Sequence, residues 1–182
     1  MIIYINEYLN LKMIKINRYK EFFVPIYFSM EGIFMKVQDC MCKQVVCVKP
    51  ETTVTDVAKL MEEHHVGSIP VCKEDGKIVG IITDRDIILR SVACDKDIKN
   101  TPISDIMTTN VIRTSPDTNT TAVAQIMADN QVRRLPVVID EKVVGMITLG
   151  NLAQFHSVSN ECLCNTIECV CHTRGQDIKN AE

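Results

Sequence analysis

Val37-Gln-Asp-Cys-Met-Cys-Lys-Gln-Val-Val-Cys-Val-Lys-Pro50 is matched by Ile103-Ser-Asp-Ile-Met-Thr-Thr-Asn-Val-Ile-Arg-Thr-Ser-Pro116, at an offset of about 66 residues. Asp39 falls on Asp105, Met41 on Met107 and Pro50 on Pro116. The correspondence continues with Val57-Ala58 on Val123-Ala124, Met61 on Met127 and Pro70-Val71 on Pro136-Val137. After a one-residue gap at the Asp75 turn, Val79-Gly80-Ile81-Ile82-Thr83 falls on Val144-Gly145-Met146-Ile147-Thr148. Self-similarity sustained in order over two whole units is the mark of a repeated supersecondary element.

Each unit reads alike. A β-run from Val45 to Val48 ends at Pro50, because proline has no N–H to give a ladder. Thr53 then caps a helix with Val54, Val57, Leu60 and Met61 on one face. That helix runs out near His64-His65-Val66-Gly67. A strand from Ser68 to Cys72, a turn at Glu74-Asp75-Gly76 and a strand from Ile78 to Ile82 follow. Thr83 opens a second helix, with Ile87, Ile88 and Leu89 expected to turn inward. The order is β-α-β-β-α twice, an α/β (α+β) fold with repeats at 37–92 and 103–156. A unit of roughly 50–60 residues buries little surface alone, so the two are expected to pack their sheets into one continuous core.

Val66-Gly67-Ser68-Ile69-Pro70-Val71 and Gly80-Ile81-Ile82-Thr83-Asp84-Arg85-Asp86-Ile87 resemble the first repeat of bacterial two-CBS proteins. Val132-Arg133-Arg134-Leu135-Pro136-Val137-Val138 resembles the second. Over about 37–155 the chain therefore resembles a stand-alone tandem CBS pair, or Bateman module. The resemblance implies a pseudo-twofold pair with two clefts between the repeats, and usually a homodimer forming a flat disc of four repeats. It also implies an adenosine-containing ligand: AMP, ADP, ATP, S-adenosylmethionine or a dinucleotide.

A ribose presents two neighbouring hydroxyls, and one carboxylate can accept from both. With Thr83 as N-cap, Asp86 lies one turn in, so hydroxyl and carboxylate meet at a helix start whose free N–H groups favour a phosphate. By the resemblance, Thr83 and Asp86 contact ribose and phosphate. The same Thr-x-x-acid pattern is also a capping box, which serves stability alone. The second copy reads Thr148-Leu149-Gly150-Asn151. Asn151 lacks the charge, and Gly150 weakens the helix start. Unequal sites follow, with the Thr148–Asn151 cleft the weaker and one nucleotide expected per chain. By the resemblance, Val45, Val46, Ile69 and Pro70 line the adenine slot, although all four read equally as core. Arg133 and Arg134 stand where adenylate-binding relatives place phosphate contacts. Neighbours on a strand point to opposite faces, so one at most reaches a given phosphate. A surface or dimer salt bridge is the competing reading.

Nine cysteines are many for 182 residues. Several fall in expected buried elements with no signal peptide before them, which points to a reducing cytoplasm rather than a disulfide framework. Cys47 and Cys72 read as small core residues. Cys162, Cys164, Cys169 and Cys171, in a C-terminal tail at 157–182, could hold Zn²⁺, although Cys-x-Cys departs from the usual structural-zinc spacing. His64-His65 at a helix end reads as a pair suited to the dipole rather than as a metal site.

A net charge of −3 argues against general nucleic-acid binding, and no apolar run approaches the length of a membrane span. Residues 1–34 are rich in Ile, Asn, Lys, Tyr and Phe up to Ser29, the residues that AT-rich DNA encodes without selection for a fold. Met30-Glu31-Gly32 can be encoded with GGAGG, a ribosome-binding sequence, a short spacer before Met35. Translation is expected to start at Met35, with an amphipathic leader as the alternative. No nucleophile–base pair, phosphate-cradling glycine loop or paired carboxylates suggest catalysis. The expected function is regulatory ligand sensing, with output through the dimer or an effector protein. The alternative is a metal- or redox-responsive protein that uses the cysteine tail.

Overall fold

Thr53 and Asn119 open the long helix of each repeat by the same chemistry. The Thr53 hydroxyl accepts from the Asp56 N–H at 3.2 Å, and the Asn119 side chain accepts from the Thr121 N–H at 2.8 Å. Either bond satisfies a donor that the first helical turn leaves without a partner. The structure, a computed structural model, describes residues 35–179. The expectation about residues 1–34 lies outside the described residues.

The elements are α1 (Val37–Cys40), α2 (Val54–Glu63), β1 (Ser68–Cys72), β2 (Ile78–Thr83) and α3 (Asp84–Arg90) in the first half. The second half has α4 (Thr120–Asp129), β3 (Arg134–Ile139), β4 (Lys142–Thr148), α5 (Leu149–Gln154) and α6 (Asn160–Lys179). A short 3-10 turn, Ile103–Asp105, takes the place of α1 in the second repeat. The helices α2 and α4 end alike: His65 and Gln131 take left-handed backbone, at φ 52° and 53°.

β1 pairs antiparallel with β2, with Ser68 opposite Thr83, and β3 with β4, with Arg134 opposite Thr148. The expected strand from Val45 to Val48 does not form. Only Val48 is bridged, in parallel, to Val71, and likewise Thr114 to Val137. Val48 donates to the Pro70 carbonyl at 3.1 Å and accepts from Cys72 N–H at 2.8 Å. Extending this ladder by one step would need an N–H from residue 70 to the carbonyl of Val46. Proline has none, and Pro136 imposes the same limit in the second repeat.

The expected single core is two. One cluster joins Val48, Val54, Val57, Met61, Ile69, Val71 and Ile82 to Ile103 and Ile106 of the other repeat. The second joins Val123, Ala124, Met127, Leu135, Val137, Ile147 and Leu152 to Val37 and Cys40. Each repeat thus lends its first residues to the partner's core. Backbone bonds fix the exchange symmetrically: Val37 donates to Thr118 O and Ile103 to Thr52 O, both at 2.9 Å.

Two further expectations change. Ile88 and Leu89 do not turn inward but are 58% and 47% exposed, while Ile87 packs against the first core. The cysteine-bearing segment is not a tail but the helix α6, which buries Thr166 and Val170. Ser159 caps its start by accepting from Cys162 N–H at 3.1 Å, and Val158, Cys162 and Leu163 pack on the second core.

Candidate functional site

Thr83 ends β2 and caps α3, so its hydroxyl and the Asp86 carboxylate are held at a strand–helix junction. Asp86 Oδ2 accepts from Thr83 N–H at 3.0 Å and from Thr83 Oγ1 at 2.7 Å, while Asp86 N–H donates back to Thr83 Oγ1 at 3.1 Å. Both halves of the capping box are made. Asp86 Oδ1 faces the Arg90 guanidinium at 3.4 Å, and the Asp86 side chain is 14% exposed. Arg90 also donates to Ile106 O at 2.9 Å and Thr108 Oγ1 at 3.1 Å, tying α3 to the arm of the other repeat. One carboxylate oxygen is therefore committed to the cap, and the other is left to a longer ion pair.

The second copy reproduces the box without the charge. Asn151 Oδ1 accepts from Thr148 N–H at 3.0 Å and Thr148 Oγ1 at 2.8 Å. No residue on α5 repeats the Arg90 pair, because Phe155 stands at that position.

Arg134 crosses between the repeats. Its Nη1 donates to Ser68 Oγ at 2.9 Å, and Gly67 leaves the space that Asp84 and Arg134 occupy: an added Cβ would sit 2.9 Å from Asp84 Oδ2 and 3.6 Å from Arg134 Nη1. Ser68 and Arg134 are counterparts under the repeat, so their contact marks the pseudo-twofold axis. The bridge between the counterparts Lys77 and Lys142 marks it again. Burial holds the Arg134 guanidinium below its ordinary pKa, Arg133 adds to this, and Asp84 opposes it. Arg133 is exposed and does not share the Ser68 contact.

Of the expected adenine walls, Val45 and Val46 are partly exposed, Pro70 is buried in β1, and the Ile69 side chain is wholly inside the first core. Ile69 can offer a ligand only its backbone. A surface depression of about 430 Å³ lies elsewhere, between Lys49–Glu51 and Lys73–Asp75. Sequence reasoning missed Ser68, Asp84 and Arg90. Ser68 was in reach, since it aligns with Arg134 under the repeat.

The four C-terminal cysteines do not converge. At 3.6 residues per turn, Cys162 and Cys169 share one side of α6 while Cys164 and Cys171 take the opposite side. Among the described residues no group of three or more His, Cys, Asp or Glu is placed to hold a metal ion. The single tetrahedral site expected from Cys162, Cys164, Cys169 and Cys171 is not built within one chain.

Two pseudo-twofold repeats exchanging their first residues, with a capped Thr-x-x-Asp junction beside the axis, define a tandem α+β pair. The family profile of the CBS domain matches residues 37–93 and 103–157, and the chain belongs to that family. It is 40% identical over 136 residues to the CBS domain-containing protein YhcV of Bacillus subtilis, covering 75% of this chain and 95% of that protein. Its fold is similar to the CBS domain pair of protein MJ0100 in complex with 5'-methylthioadenosine and S-adenosyl-L-methionine. That match has a TM-score of 0.62 and 31% identity over 68% of this chain and 96% of the other. It is also similar to Hypoxic Response Protein I with two coordinated zinc ions, with a TM-score of 0.62 and 28% identity over 66% of this chain and 98% of that one. Among the described residues no helix is long and apolar enough to cross a membrane.

Proposed function

We propose that this chain is a non-catalytic, cytoplasmic ligand-sensing module that binds an adenosine-containing molecule beside Thr83 and Asp86, and passes the signal through a homodimer or an effector protein. The observation that carries the reading is the Asp86 carboxylate. It is fixed in direction by its cap, low in exposure, and has one oxygen held only by a 3.4 Å ion pair. A ribose diol competing for that oxygen would find it already oriented. Arg134, on the axis and linked to Ser68, is the cation best placed to reach a phosphate or carboxylate group. The adenosyl ligands in the MJ0100 pair support the same class of ligand here. Support for self-association comes from Ile88 and Leu89 on α3 and Val92 in the turn after it, all three exposed.

The test is thermal unfolding of the full chain with AMP, ADP, ATP and S-adenosylmethionine, alongside Asp86→Asn. The asparagine keeps the cap, as Asn151 does at Thr148, and removes the charge together with the Arg90 ion pair. A ligand at about 100 times its Kd adds about 2.7 kcal/mol, several degrees in Tm for a domain of this size. The expected result is a shift with one of these ligands that Asp86→Asn abolishes while the variant still unfolds in a single cooperative transition. Sedimentation of the same samples reads the dimer. A set of ligands that shifts neither protein, or a shift that survives in Asp86→Asn, would overturn the assignment of the site.

A further inference from the structure

Arg90 is held from two sides. Its Nη2 faces Asp86 Oδ1 at 3.4 Å, one turn back on α3, and its Nη1 donates to Ile106 O at 2.9 Å and Thr108 Oγ1 at 3.1 Å. Asp86 belongs to the site proposed above, whereas Ile106 and Thr108 belong to the arm that the second repeat lends to the first. One guanidinium thus joins the carboxylate to a contact between the repeats. The second half of the chain folds its own arm without such a link. In both halves the arm is fixed to the strand it crosses by a pair of backbone hydrogen bonds. Thr108 and Ile81 exchange theirs at 2.9 Å each way, and Cys42 and Met146 do the same at 2.9 Å. Both arms also bury apolar side chains, Ile103 and Ile106 in one and Val37 and Cys40 in the other. The first half adds a side-chain tie that the second cannot copy, because Phe155 stands where Arg90 would be. The half that has the tie is the half that has the charged junction.

Asp86 can change partners at Oδ1 without losing its cap, since both bonds from Thr83 go to Oδ2. A ribose hydroxyl that donates to Oδ1 competes with the guanidinium for the same oxygen. The Arg90 side chain is 48% exposed, so a displaced guanidinium has water to turn to. Its contacts with Asp86 and with the arm are made by one rigid planar fork, which cannot turn away from the first and keep its aim at the second. We propose that Arg90 is a positioning residue that couples the Asp86 site to the arm at 103–108. It holds the arm against α3 while Oδ1 is free of ligand, and lets go when a diol takes that oxygen. This regulation rests on the nucleoside reading of the Thr83–Asp86 junction given above. Coupling of this kind is reciprocal: the contact that holds the arm also disfavours the ligand, so a chain without the Arg90 guanidinium binds the diol more tightly.

The test reads amide hydrogen exchange by mass spectrometry on the full chain, comparing peptides over 103–110 with their counterparts over 37–44. Without ligand, Asp86→Asn and Arg90→Gln should each speed exchange over 103–110 by about 2- to 5-fold, the effect of a half-exposed ion pair on a local opening, and leave 37–44 unchanged. The double variant should add nothing further, because either substitution removes the same link. The probe is 5'-methylthioadenosine, which carries the diol but no phosphate to draw Arg90 elsewhere. In the unsubstituted protein it should speed exchange over 103–110 to the level of the variants, and Arg90→Gln should bind it more tightly by a similar factor. Unchanged exchange over 103–110 in both single variants, or effects that add in the double variant, would overturn the coupling. So would binding of the probe that leaves 103–110 as slow as before. If the variants speed the arm but neither the probe nor AMP binds, the nucleoside reading fails and ligand-driven release falls with it, while the link from Asp86 through Arg90 to the arm stands.

Discussion

Thr114 carries a buried hydroxyl with no hydrogen-bond partner among the described residues. Its counterpart in the first repeat is Val48, which makes the equivalent parallel bridge with only methyl groups in the side chain. A buried polar atom without a partner costs on the order of 1–3 kcal/mol, and removing it without changing shape recovers part of that cost. Thr114→Val, which copies the first repeat, is therefore expected to raise stability by about 1 kcal/mol. The urea midpoint should rise with the denaturant slope unchanged. A lower midpoint would mean that the hydroxyl is satisfied in solution and the repeats differ there for a reason of packing. At this same scale, much of the Thr83–Asp86 site was legible in the sequence, because a cap obeys local spacing and both halves of the box fall within four residues. The Arg90 ion pair shares that short range and could have been read at i, i+4. The Arg134–Ser68 bond could not, since it depends on how distant segments dock.

Among the elements, β2 and β4 each carry a glycine where the arm of the other repeat crosses. A Cβ on Gly80 would lie 2.4 Å from Met107 Sδ, and one on Gly145 would lie 2.5 Å from Met41 Sδ and 3.1 Å from the Cys42 carbonyl oxygen. The obstacle at Gly80 is entirely side chain, which can rotate away. At Gly145 part of it is backbone held by the Cys42–Met146 bridge, with Cys42 N–H to Met146 O at 2.9 Å. Overpacking typically costs about 1–3 kcal/mol. Gly80→Ala is expected near the lower end and Gly145→Ala near the upper, read as urea midpoints of the two variants side by side. Equal losses would show that the arms yield as freely at Cys42 as at Met107. The helices and hairpins were largely readable, since caps, periodicity and Gly-containing turns are local signals. The 45–48 strand was overread because Val45-Val46-Cys47-Val48 is a continuous apolar, β-branched run, and the missing donor belongs to Pro70, on another segment. The helix α6 was underread for the opposite reason. Leu163, Thr166 and Val170 do repeat at helical spacing, but the cysteines between them drew the reading toward a metal site.

For the whole molecule, the exchange of arms decides how the two halves share stability. Ile103 belongs to the second repeat in sequence yet is wholly buried among Val54, Val57 and Ile69 of the first, while Val37 is buried among Val123, Leu135 and Ile147 of the second. The repeat offset shows that two units exist but not that they trade their first residues, because either arrangement satisfies the same pattern. The trade has a measurable consequence. Truncating a fully buried isoleucine to alanine costs about 2–5 kcal/mol, and the loss is felt by the residues around the cavity. Ile103→Ala should therefore speed amide hydrogen exchange in β1 and β2 more than in β3 and β4. Val37→Ala should do the reverse, with a smaller loss because fewer carbons are removed. Native-state exchange read by mass spectrometry on the full chain separates the two hairpins, and local opening reports which core was weakened. If each variant instead loosened the hairpin of its own repeat in sequence, the arms would not be exchanged in solution. If both variants loosened both hairpins equally, the two cores would open only together, and the pair would behave as one cooperative unit despite its two hydrophobic clusters.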